Sequence, residues 1–485
     1  MRRAPANAGE LAQHAAAADR SAAEDGADGA PQPTIGLVSC LAFAVGTMVG
    51  GGVFTLSGTA VNTAGPAAIL SYLLAGTVML LAALCFVAIA GRARRGDSGY
   101  GPVGDLLGPL WRFLAMWGFY INGVMLLTFL LVSFGDYLNQ YFLSGLGALA
   151  AAVIATAAIA MLNLGPADRV GRAETVVVAV KIAILLFFVA WGLSQISDAR
   201  FTPFSPGGAH GVLQMTALLF TAYTGFNVVT NMAGSVRDPR RTVPVAVIGS
   251  VLISAALYVG VILAMLASGV DHFGDAGVGQ AAEALMGGWG GYVIAFAACL
   301  STLSGANANM LGASELMLRL VSQRDVPAAL GRTTGHGSPV LSIGLITAVT
   351  VLLVSLSNLD NVVAYSNVGA LVAMIIVSAA ALRLARRGWP GSGLRLPGKA
   401  TIPAVAIVVC LAQFPSLGWG RVGVGLLLVA AGLLLYFARR ITRFGEGVVE
   451  AIGTRMLTHD TPLQRALRDV ELYRILTRGR HCYRE

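Results

Sequence analysis

Residues 34–58 read TIGLVSCLAFAVGTMVGGGVFTLSG. This stretch is apolar, uncharged and long enough to cross a hydrocarbon layer of roughly 30 Å as a helix, yet it carries Gly50, Gly51 and Gly52 at its centre. Each glycine costs a helix about 1 kcal/mol relative to alanine. Peptide groups released from helical bonding cannot face lipid, where each costs several kcal/mol, and persist only beside a polar cavity. The spacing therefore predicts a helix broken at mid-membrane. Its outer half would begin near Val53 and Phe54, with free N–H groups and a positive dipole end suited to a carboxylate. A single pair, Gly46 and Gly50, would read as close helix packing; three glycines in succession favour the break.

Outward from this segment the pattern repeats. The chain has 485 residues, 56% hydrophobic and 12% charged, about half the charge of a soluble domain. Twelve apolar stretches fall near residues 34–57, 66–91, 112–138, 146–163, 174–194, 211–234, 243–268, 288–318, 339–357, 361–383, 401–416 and 421–440. Their continuity excludes a β-barrel, and the charge deficit excludes a soluble enzyme, a disordered chain and a nucleic-acid binder in spite of the net charge of +9. The expected class is an all-α integral membrane protein with twelve spans. The first run is a full span rather than a cleavable signal. Of the 33 Lys and Arg, 30 lie in segments that share one side when the N-terminus is cytoplasmic, Arg200 and Arg421 lie on the other, and Lys181 sits inside a span. This asymmetry puts both termini in the cytoplasm.

Residues 1–33 read as a disordered tail, 34–440 as the membrane core and 441–485 as a basic cytoplasmic tail. In that tail Thr461 and Pro462 open a segment with Leu463, Leu467, Val470, Tyr473 and Leu476 at three-to-four spacing. It fits an amphipathic helix on the inner leaflet and a solvated helix equally well. The six histidines lie in tails or loops, and the cysteines show no metal or disulfide spacing, so no cofactor or metal is expected. No phosphate-binding loop suggests nucleotide as the driving force. The 31 Arg against two Lys suggest a GC-rich bacterial genome and hence a bacterial inner membrane.

A second interruption lies in the sixth stretch, where residues 218–244 read LLFTAYTGFNVVTNMAGSVRDPRRTVP. Thr221, Tyr223, Thr224, Gly225 and Asn227 are a polar run in an apolar helix. Two interrupted spans in matching places of two halves are the strongest sequence pointer to a transport site. Residues 34–194 and 211–383 supply those halves; five spans each makes the repeat inverted, with 401–440 as two further helices.

These residues resemble the amino acid permeases of the amino acid–polyamine–organocation superfamily. The resemblance is carried, in order, by GTMVGGGVF (46–54), NTAGPAAILSYLLAG (62–76), SGYGPVGDLLGPLWRFLAMWGFY (98–120), LNLGPADRVGRAETVVVAVKI (162–182) and GFNVVTNMAGSVRDPRRTVP (225–244). It implies the inverted-repeat fold of the bacterial leucine transporter, with broken helices 1 and 6 and alternating access around a site between helices 1, 3, 6 and 8. It implies that the carboxylate of an amino acid meets the N–H groups of Gly50, Gly51 and Gly52. It implies that the ammonium meets carbonyls around Met48, Val49, Tyr223 and Thr224, with Gly225 at the second break. Met48, Thr221 and Thr224 would set selectivity. In proton-coupled members a fifth-helix lysine takes the place of a bound sodium ion, and Lys181 matches it.

Lys181 lies about ten residues, or roughly 15 Å, into its span, too deep to snorkel. An ionisable group there is a functional candidate, and its gain and loss of a proton would tie or release helices 1, 5 and 8. Some positions depart from the family pattern. Asn227 stands where many members are acidic, Ala88 where a glutamate is common, and ELMLRLVSQRDVP (315–327) brings Glu315 and Gln323 to the cytoplasmic gate. The eighth-stretch residues Ser301, Thr302, Ser304, Asn307 and Asn309 fit a site lining or interhelical bonding equally. The expected activity is uptake of a small amino acid or amine with protons as coupling ion and lipid as surroundings. Exchange, sodium coupling, and a sensor or channel are the alternatives.

Overall fold

The computed structural model describes residues 36–92, 99–165, 170–196, 201–226, 236, 238–334, 338–356, 359–389, 396, 398 and 400–458, with backbone alone for 170–175, 239–240 and 442–458. The expectations for the N-terminal tail, for Asn227 and for residues 461–476 lie outside them. Among the described residues the chain is helical. It runs through α1 (Leu37–Met48), α2 (Gly51–Ala64), α3 (Ala68–Ala90), α4 (Gly101–Leu107), α5 (Pro109–Tyr141), α6 (Ala148–Leu164), α7 (Val170–Leu193) and α8 (Gly208–Leu219). A 3-10 turn over Phe220–Tyr223 follows. Then come α9 (Pro239–Ala267), α10 (Gly277–Met286), α11 (Gly288–Ser322), α12 (Val340–Leu356), α13 (Leu359–Arg386), α14 (Thr401–Leu417) and α15 (Trp419–Thr458). Among the described residues, seven helical stretches are long and apolar enough to cross a membrane, and α1, α6, α12 and α14 are shorter apolar helices.

Among the described residues, helical structure falls within each apolar stretch read from the sequence, the sixth being described only to residue 226, and several elements overrun the expected ends. The first stretch continues through α2 to Ala64, α5 reaches Tyr141, and α15 runs on to Thr458 without a break at residue 440. Charge marks where hydrocarbon ends, not where helical hydrogen bonding ends. The sequence reading also passed over α10. Its Val278, Ala281, Ala282 and Met286 are buried, an apolar face at helical spacing that packs against α2 and α11.

Burial sorts the helices. The apolar window of α5 is 83% buried, whereas those of α7 and α15 are 28% and 22% buried. The last two therefore form the apolar exterior, with Phe187, Trp191, Leu427 and Leu434 exposed. The core of the bundle is α5 laid against α11 and α13. Gly118 of α5 faces Gly369 of α13 so closely that a Cβ on either would lie 2.6–2.7 Å from the other's carbonyl oxygen. One turn on, Asn122 Nδ2 donates to Ser366 Oγ at 2.8 Å across the same interface.

Replacing Gly118 by leucine forces these two backbones apart. Overpacking of this kind costs about 1–3 kcal/mol and should lower the unfolding midpoint in detergent. Gly344→Leu on α12, where an added Cβ meets nothing within 4 Å, should leave the midpoint unchanged. Equal midpoints for the two variants would contradict the packing.

Candidate functional site

The first interruption lies at Val49 and Gly50. Helix α1 stops at Met48, Val49 takes φ −74° and ψ 71°, and Gly50 is extended at φ −110° and ψ −153° before α2 starts at Gly51. The glycines that follow serve close approach. A Cβ on Gly51 would lie 2.7 Å from Leu130 Cδ2, and one on Gly52 would lie 2.9 Å from Ala222 Cβ. The second interruption follows the 3-10 turn: Thr224 is extended and Gly225 has φ +137°, a region that favours glycine. A Cβ on Gly225 would lie 3.1 Å from the backbone nitrogen of Met48. The two breaks therefore pack directly on each other, each needing glycine where the other passes.

Breaking two helices frees carbonyls, and side chains from other helices meet them. Lys181 Nζ of α7 donates to the Gly46 carbonyl at 2.6 Å. Ser301 Oγ of α11 donates to that of Val49 at 2.8 Å. The Tyr258 hydroxyl of α9 lies 2.7 Å from the Met48 oxygen and 2.8 Å from that of Ala222, one donor shared between the two breaks. The Thr224 hydroxyl folds back to the Thr221 carbonyl at 2.6 Å. At the start of α2 the N–H groups of Gly51, Gly52 and Val53 have no carbonyl within their own helix, and no side chain caps that end.

Beside these groups is a cavity. From the breaks it is lined by Thr47, Met48, Gly50, Gly51, Gly52, Thr221, Ala222, Thr224 and Gly225. Its other walls are one face of α5 (Phe119, Asn122, Gly123, Leu126, Leu130) and one face of α11 (Gly305, Ala308, Asn309, Gly312, Ala313, Leu316). Both sets follow three-to-four spacing, so each helix contributes a single stripe. The C-terminal dipole end of α1 and the N-terminal end of α2 meet at this cavity. It thus presents partial negative and partial positive charge a few residues apart, a pairing that matches an ammonium–carboxylate compound.

Beyond the residues that line the cavity, hydrogen bonds tie α2 to its neighbours. The Tyr137 hydroxyl donates to the Phe54 carbonyl at 2.6 Å, and the Thr55 and Ser133 hydroxyls bond each other. Asn62 exchanges two bonds with the backbone of Phe273, at 2.7 and 2.9 Å. The cavity extends past Phe119 and Leu316 to Tyr100, toward the end of the bundle where Arg112 pairs with Asp325 at 3.3 Å. Burial holds the Tyr100 hydroxyl above its ordinary range, partly offset by Arg319, so it stays a neutral hydrogen-bonding group.

Of the residues expected at the site, Met48, Gly50, Gly51, Gly52, Thr221, Thr224 and Gly225 surround this one cavity. Val49 and Tyr223 sit behind it. Val49 is fully buried, with its carbonyl on Ser301, and the Tyr223 hydroxyl donates to the Tyr72 carbonyl at 2.9 Å. Lys181 is fully buried behind α1, and a Cβ on Gly46 would lie 2.4 Å from Val178 of the same α7. The eighth-stretch polar residues divide: Asn309 lines the cavity, Ser301 holds the break, Thr302 bonds within its own helix, and Asn307 accepts from Asn163 at 2.7 Å. Sequence reading missed Tyr258 and Asn122. A lone tyrosine or asparagine in an apolar run carries no signal of which distant carbonyl it meets.

Residues 35–422 match the amino acid permease family. Among similar proteins is the branched-chain amino acid permease BcaP of Bacillus subtilis, 29% identical over 81% of this chain and 90% of its own length. The methylthioribose transporter of the same organism is 27% identical over the same shares. The inner membrane transport protein YbaT of Escherichia coli is 25% identical over 72% of this chain and 83% of its own. The match spans most of the membrane core, and with it the chain belongs to the amino acid permease family, as a transporter and not an enzyme.

Proposed function

We propose that this protein takes up a small zwitterionic amino acid or related amine across a bacterial cytoplasmic membrane, by alternating access and together with a proton. In this reading the helices form twelve spans, residues 34–194 and 211–383 are inverted repeats, and both termini are cytoplasmic. The observation that carries it is the meeting of two interrupted helices at one cavity, with helix ends of opposite polarity and glycine at each contact. The carboxylate, expected at Gly50, Gly51 and Gly52, is assigned to the N–H groups of Gly51 and Gly52, since the Gly50 N–H donates to the Met48 carbonyl at 2.8 Å. The ammonium is assigned to break carbonyls on the cavity side, with Thr221 and Thr224 beside it. Apolar and small lining at Leu126, Leu130, Ala308 and Ala313 suits a neutral side chain. The similar B. subtilis proteins are named for branched-chain amino acids, whose side chains are neutral, and for methylthioribose.

Lys181 supplies the coupling in this proposal. Its ammonium holds α1 to α7 one turn before the break. When the proton leaves, that charge-assisted bond weakens and α1 is free to swing.

Purified protein in liposomes, given a panel of radiolabelled amino acids, should accumulate neutral ones when the outside is made acidic. Accumulation should vanish with a protonophore and be indifferent to sodium. Accumulation that requires amino acid inside would make the protein an exchanger, and dependence on a sodium gradient would remove Lys181 from the coupling role. Lys181→Ala should abolish accumulation driven by the proton gradient, and uptake that persists at the unaltered level would sink the coupling proposal. Tyr258→Phe leaves two break carbonyls without their shared donor. That should cost about 1–3 kcal/mol, seen as a lower unfolding midpoint in detergent.

A further inference from the structure

The end of α8 has a partner on a helix remote from the two breaks. The Asn367 side chain of α13 donates to two successive carbonyls, Ala217 at 2.8 Å and Leu218 at 3.0 Å. These belong to the last turn of α8. There the chain tightens from the α to the 3-10 spacing, and each N–H bonds one residue closer than before. At such a change of spacing the backbone passes over one carbonyl of the final α turn. The Asn367 carboxamide directs both its donors at two carbonyls of this turn. Its own oxygen is buried and has no hydrogen-bond partner among the described residues. The amide has given up its acceptor to present both donors, so the two carbonyls dictate its orientation. Asn367 is fully buried, where an unmet carbonyl cannot turn to water.

The residue before it fixes the other side. Ser366 Oγ accepts from Asn122 Nδ2 at 2.8 Å and donates to the Asn122 carbonyl at 3.2 Å. Asn122 is part of the cavity wall on α5. Two consecutive residues of α13 thus join that wall to the end of α8, four residues ahead of Thr221.

We propose that Asn367 is a positioning residue for substrate binding: it holds two carbonyls at the end of α8, where the helical spacing changes, and so sets Thr221 and Thr224 against the cavity. The proposal rests on the reading of that cavity as the substrate site. Loss of both bonds lets α8 regain ordinary helical spacing and carries the two threonines out of register.

The test measures initial uptake of radiolabelled L-leucine and L-alanine in liposomes, normalised to folded protein, with substrate-induced stabilisation against heat alongside. Asn367→Leu keeps the approximate volume and removes both donors. It should raise KM about tenfold or more, as expected for two buried hydrogen bonds, with a far smaller change in maximal rate. Asn367→Ser retains one donor and should fall between; it decides the matter if the leucine variant does not fold. Asn163→Leu removes an amide of another interhelical bond that does not line the cavity; it should lower thermal stability and leave KM unchanged. A wild-type KM in both Asn367 variants, or an equal rise in the Asn163 variant, overturns the proposal. Gly51→Val separates this from failure of the underlying reading. If Gly51→Val abolishes binding while the Asn367 variants bind normally, only the role of Asn367 is lost. If Gly51→Val binds normally, or the unaltered protein takes up neither amino acid, the cavity assignment falls and takes the proposal with it.

Discussion

A peptide group stripped of its helical partner has nowhere to turn inside hydrocarbon, and the architecture around the two breaks answers that single constraint. Side chains from neighbouring helices meet carbonyls at and before the breaks: Lys181 at Gly46, Ser301 at Val49, Tyr258 at Met48 and Ala222, Asn367 at Ala217 and Leu218. These donors come from α7, α11, α9 and α13, so satisfying two short stretches of backbone recruits four other helices. The groups at the start of α2 are the exception, since no side chain caps them. A membrane helix tolerates uncapped donors only beside a polar space, and the cavity lies there.

The same constraint orders the packing. Two irregular segments can share a cavity only if they approach closely, and glycine is the residue that permits it. Gly52 admits Ala222, and Gly225 admits Met48. The glycine run is therefore more than a helix breaker. Gly50 supplies the interruption in a conformation that other residues also adopt, while Gly51 and Gly52 make room for Leu130 and Ala222 inside the following helix. An alanine scan that counts only helix propensity would expect substitution of Gly51 or Gly52 to stabilise α2; contact distance says the reverse.

Much of this was legible in the sequence, for a reason that also marks the limit. Hydrophobic runs locate helices because transfer to hydrocarbon depends on composition alone, and three glycines at mid-span announce a break because propensity is local. Lys181 stood out because a buried charge is rare. The partners of the breaks were not legible. Ser301 is legible as one of a polar cluster but not as the partner of Val49; Tyr258 and Asn367 are ordinary polar residues in apolar stretches, and all three roles depend on carbonyls tens to hundreds of positions away. Tyr223 shows the converse. It sits within the polar run that flagged the second break, yet its hydroxyl points back to Tyr72 and its ring packs on Tyr258. Position in the run says that the backbone departs from a helix there, but not which way each side chain turns.

Under the proposed alternating access the two broken helices would move while their carbonyls stay satisfied, and the donors divide accordingly. Tyr258 bonds both breaks, so it would travel with them and keep them a unit. Asn367 and Ser301 sit on α13 and α11, which pack on α5, and their bonds join the breaks to that frame. Lys181 bonds α1 through the one donor of this set that can lose its charge. A motion that separates α1 from the frame must break the Ser301 and Lys181 bonds to it. A serine hydroxyl donates a bond of modest strength, while an ammonium donates a strong one until its proton leaves. Under the proposed proton coupling, the larger part of the barrier to moving α1 would thereby fall on the group whose strength a proton controls.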